Sequence, residues 1–95
     1  MKHTGKMESI AIRTGRLSNA YDHFNRLDTE EDLRKENITI SDYYDIRTAL
    51  IRLNGANCEV AALHSERAAA WCKRHGLIIE HLYGNFYGVS TSKTY

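Results

Sequence analysis

Proline is absent from this chain of 95 residues, so nothing in it removes a backbone donor or forces a kink. Cysteine is scarce: Cys58 and Cys72 are too few for a disulfide framework, and a reduced, cytoplasmic setting is expected. No run approaches the roughly 18 apolar residues of a membrane span, so no membrane partner is expected. Lys2 and Lys6 are followed by no apolar stretch, which argues against a secretory leader. An excess of one charge is missing too, with Lys+Arg 13 against Asp+Glu 12. Such a balance neither demands nor forbids nucleic acid, because a local patch acts even when the total is neutral. Ser/Gly-rich linkers and internal repeats are also absent, so residues 1–95 read as one domain, with an N-terminal helical region at 1–40 and a core at 41–90.

What is present is helical periodicity. Met7, Ile10, Thr14, Leu17, Tyr21 and Phe24 recur at spacings of three and four. Gly15 interrupts that stripe, so a helix is expected from Leu17 to Leu27, with Ser9 to Arg13 either helical or a short strand. Asp28 to Asp32 reads as a helix start, Leu33 as its apolar anchor and Asn37 as its stop. Glu30 with Arg34 and Glu31 with Lys35 are four apart in the favourable order. Ser41 is expected to cap the next helix, whose stripe is Tyr43, Ile46, Leu50 and Leu53, with Gly55 in a left-handed turn beyond it.

Asn57 to Leu63 is too short for periodicity to decide between helix and strand, and a strand there makes the fold general α+β. Ser65 caps a helix from Glu66 to His75, closed by Gly76. Leu77 to Tyr83 and Phe86 to Ser90 then form a hairpin about Gly84-Asn85. The expected pairs are Tyr83 with Phe86, Leu82 with Tyr87 and Glu80 with Val89. The class expected is mainly α with a C-terminal β-hairpin.

Within Ser41 to Ser90 the text resembles winged helix-turn-helix DNA-binding domains. Ala49-Leu50-Ile51-Arg52-Leu53-Asn54-Gly55 resembles the first helix and its turn, and Val60-Ala61-Ala62-Leu63 the second helix. Ser65-Glu66-Arg67-Ala68-Ala69-Ala70-Trp71 resembles the start of the recognition helix, and Gly76-Leu77-Ile78 the opening of the wing. The resemblance implies a winged-helix-like domain whose partner is DNA. Ser65, Glu66, Arg67, Ala70, Lys73 and Arg74 would then face the major groove. Arg67 would suit a bidentate guanine contact, while Lys73 and Arg74 would meet phosphates, assisted by Arg13 and Arg16.

Signs of catalysis are missing. His64 beside Ser65 is no base–nucleophile pair, and no glycine loop is built for phosphate, so no enzyme activity and no cofactor are expected. Cys72 and His75 are three apart, yet without a Cys-x-x-Cys pair the expectation is a buried thiol and no metal. The hairpin aromatics Tyr83, Phe86 and Tyr87 carry a second expectation. They suit a protein interface, as in small virus- or plasmid-type accessory proteins that inhibit or adapt a host complex. The N-terminal stripe packs within the monomer or forms a homodimer seam.

Overall fold

The structure, a computed structural model, describes residues 15–55 and 60–91. The stretch from Met7 to Thr14, the site candidate Arg13, and Asn57 and Cys58 lie outside the described residues. Within them the chain builds an α+β domain of four helices and one three-stranded antiparallel sheet.

Helix α1 (Gly15–Phe24) starts at the glycine and ends before Leu27, which is reached through a tightened last turn. Helix α2 (Glu30–Lys35) opens on a capping box. Asp32 N–H donates to Thr29 Oγ1 at 3.2 Å, and Thr29 N–H returns to Asp32 Oδ2 at 3.1 Å. Its side-chain ion pair is Arg34 with Glu31, one position nearer than the expected i,i+4 pairs. Asn37 at φ 61° stops the helix, because an asparagine tolerates the left-handed region. Helix α3 (Ile40–Asn54) repeats the device one residue-pair earlier than the sequence suggested: Thr39, not Ser41, is the cap. Asp42 answers it from N3, so Ser41 lies inside the first turn. Gly55 is extended at φ −72°, not left-handed; its N–H closes a tight turn on Arg52.

Strand β1 (Val60–Leu63) stands where the winged-helix resemblance implies a second helix. Ala61 and Leu63 turn inward and are buried, while Val60 is exposed, the alternation of a half-covered strand. The expected helix-turn-helix unit is therefore helix, strand, helix. Helix α4 (Glu66–Arg74) begins on the Ser65 cap, as expected, and ends at Gly76 with φ 94°. Strands β2 (Ile78–Tyr83) and β3 (Phe86–Ser90) form the expected hairpin, and β3 is central in the order β1-β3-β2.

The hairpin register differs from the expected one. Tyr83 opposes Phe86, but His81 opposes Tyr87, Glu80 opposes Gly88 and Ile79 opposes Val89. Leu82 is the extra residue of a bulge, which shifts everything behind it by one position. Opposed residues share a face, so Ile79, Tyr87, Val89, Ala61 and Leu63 meet the core together. Leu82 is left on the outside. The core itself is closed by Trp71, Tyr43, Phe24 and Leu17, with Phe24 stacked on Tyr43 at 4.5 Å and edge-on to Trp71 at 6.2 Å.

Candidate functional site

The stripe of α3 that packs inward leaves Tyr44 and Thr48 exposed on the opposite side, with Arg52 two turns beyond Asp45. Across from them lies the end of β1. Together they bound a cleft of about 470 Å³, lined by Tyr44, Asp45, Thr48, Arg52, Ala62 and His64 at its open face. Asp45 ties the two walls. It accepts the His64 backbone N–H at Oδ2 (2.7 Å) and the His64 Nδ1–H at Oδ1 (3.1 Å). That second bond orients the imidazole and leaves Nε2 without a partner on Asp45. The His64 ring also meets Phe86 at 5.4 Å, and Phe86 meets Tyr83 at 5.1 Å, so ring contacts lead from the wall of the cleft to the hairpin tip.

The outer face of the sheet continues the same surface. Val60 is 48% exposed, Leu82 46% and Tyr83 70%. Gly88 lies between the first two: a Cβ built there would meet Val60 Cγ1 at 3.4 Å and Leu82 Cδ1 at 3.9 Å. The glycine thus lets two aliphatic side chains approach across the central strand. Of the expected hairpin trio, Tyr83 projects from the tip and Phe86 is half-buried against it. Tyr87 faces the other way, packed on the core and stacked on His81 at 4.7 Å.

The residues expected to contact nucleic acid separate into two groups. At the start of α4, Ser65 Oγ accepts from Ala68 N–H and donates to Asp42 Oδ1 at 2.6 Å, so its hydroxyl is used internally. Arg67 Nε donates to Asp42 Oδ2 at 2.9 Å; the carboxylate is 4% exposed and the guanidinium 54%. Burial raises the Asp42 pKa, but hydrogen bonds from Ser65, Thr39 and Arg67 outweigh it and hold the carboxyl below its ordinary range. Arg67 is therefore a tether between α4 and α3. At the other end of α4, Arg74 donates to the Glu36 carbonyl and Arg16 to the Gly76 carbonyl, each at 2.7 Å, and Lys73 is exposed beside them. These three cations share one rim; Ser65 and Arg67 are not part of it.

Sequence reasoning missed Asp45, Arg52 and Tyr44, and it set His64 aside. A signal for Tyr44 and Arg52 was present: positions 44, 48 and 52 follow the helical period on the side away from the apolar stripe. Asp45's union with His64, 19 residues away, had no sequence signal. Cys72 is fully buried and its thiol is pushed far up by burial. Among the described residues no group of three or more His, Cys, Asp or Glu side chains is placed to hold a metal, and no helix is long and apolar enough to cross a membrane. Comparison with known proteins finds no matching family model, no matching curated protein and no matching solved structure.

Proposed function

We propose that this domain is a protein-binding module that docks a partner complex through the hairpin tip and the adjoining cleft. The observation that carries the reading is the exposure of Val60 and Leu82 on either side of Gly88, with Tyr83 exposed next to Leu82 at the hairpin tip. Large side chains grouped this way are the usual anchors of interfaces, with a tyrosine supplying ring area and a polar tip. Affinity capture from the native host, with nuclease treatment in a parallel sample, tests it. Tyr83→Ala and Leu82→Ala should reduce recovery of the same co-purifying protein while circular dichroism stays unchanged. Undiminished recovery with both variants removes the reading.

A second reading, nucleic-acid binding, is favoured by the rim of Arg16, Lys73 and Arg74. Each arginine is held to a carbonyl by one N–H and keeps others for a phosphate. Phosphate contact does not depend on a recognition helix seated in a groove. It predicts duplex affinity that falls steeply with salt, with a slope reduced by about one in Lys73→Ala. Absence of duplex binding at low salt excludes it.

A further inference from the structure

We propose that the cleft between α3 and β1 seats an extended, acidic peptide segment of the partner, laid beside β1 with a carboxylate on Arg52. The proposal rests on the protein-docking reading above and names the chemistry of what is docked.

The first support is the edge of the sheet. β3 covers β1 on one side only, because β1 is terminal in the strand order. The His64 N–H, just past the strand, donates to Asp45 on α3 and therefore points away from β3. Peptide groups in a strand alternate in direction, so those of Ala62 turn the same way, into the cleft that Ala62 lines. An extended chain supplies the donor and acceptor that such an edge takes up.

The second support is charge. Asp42 accepts from Thr39, Ser65 and Arg67, and Asp45 accepts twice from His64. Arg52 is exposed, and its side chain forms no ion pair or hydrogen bond among the described residues. The carboxylates at one end thus have hydrogen-bond partners within the fold, and the cation in the cleft without one is the Arg52 guanidinium, whose planar fork matches a carboxylate. Dimensions agree. Asp45 and Arg52 are two helical turns apart, about 10 Å, which is the length of about three extended residues. At the Asp45 end, His64 Nε2 is left to hydrogen-bond the same segment.

Random peptides displayed on phage, selected against the full chain, provide the test. Enriched peptides are then synthesised with a fluorophore and titrated by anisotropy. Enriched sequences should share an Asp or Glu at one position, and Arg52→Glu should weaken them roughly tenfold or more, the equivalent of losing one good ion pair. Arg52→Lys should recover part of that loss. Enriched peptides without a common acid, or with affinity indifferent to Arg52→Glu, overturn the proposal. If binding survives Arg52→Glu but is lost in Tyr83→Ala, the docking reading stands and the cleft assignment falls. If nothing enriches and host capture also fails, both fall together.

Discussion

Two poles of this domain treat polar and aromatic side chains in opposite ways. At one, the C-terminal ends of α1, α2 and α4 converge on Glu36. Trp71 Nε1–H and His75 Nε2–H both donate to its Oε1, at 3.0 and 3.2 Å. The His75 ring is held between Trp71 and His23, with centroids 4.3 Å away on each side. At the other pole, Tyr83 projects from a turn, Leu82 lies outside a bulge, and the Arg52 side chain lines a cleft without an ion pair among the described residues. Polar and aromatic groups are answered internally at the first pole and left open at the second. A small domain draws its stability from groups that answer one another and keeps its unanswered groups for recognition.

Substitution separates the two poles, and the largest effect belongs to the first. Trp71→Ala should cost about 3–5 kcal/mol in chemical denaturation, from a cavity and from the lost bond to Glu36. Trp71→Phe should recover most of that and leave a deficit near 1 kcal/mol for the hydrogen bond alone. Asp42→Ala comes next, at about 1–3 kcal/mol, because it strands donors from Thr39, Ser65 and Arg67 together. A smaller loss would mean that α3 and α4 hold without their tether.

Acid should act in two steps. Burial lowers the His75 pKa more than Glu36 raises it, with His23 and Arg74 adding to the lowering. The folded state then binds fewer protons than the unfolded one, so stability is fully present above the ordinary imidazole pKa of about 6.5 and declines as pH falls below it. Asp42, depressed in the folded state, adds a further loss below about pH 4, as its carboxyl is protonated. His75→Gln should remove the first step and leave the second, measured as melting temperature against pH. Smallest of all, Tyr83→Ala should change stability by less than about 0.5 kcal/mol, while partner recovery falls. A large stability loss there would erase the contrast between the poles.

The first pole was only partly legible in the chain. The stripe Tyr43, Ile46, Leu50, Leu53 and the caps at Ser65 and Gly76 are local patterns, and they place two helices well. Thr39 was overlooked because Ser41 is also a good cap; the carboxylate three residues on decides between them, and Asp42 pairs with Thr39. Glu36 reaching Trp71 spans 35 residues and leaves no trace in spacing. The second pole was misread for a different reason. Strand β1 has four residues, fewer than either period needs, and its identity comes from its ladder with β3. One bulged residue, Leu82, shifts the β2 residues behind it by one against β3, so Tyr87 lies opposite His81 and packs on the core while Leu82 is left on the surface. Arg67 was read as a probe because its partner, Asp42, is 25 residues away.

The strand order has a consequence for how the molecule comes into being. The middle strand of the sheet is β3, the last of the three in sequence, so neither β1 nor β2 has a partner strand until β3 joins between them. On the ribosome, both must wait with their ladder groups unmatched, and Leu63 and Ile79 lack the surface they later share. Assembly is thus deferred to a single late closure, and a nascent chain halted before Phe86 is the species most exposed to sticking to its neighbours.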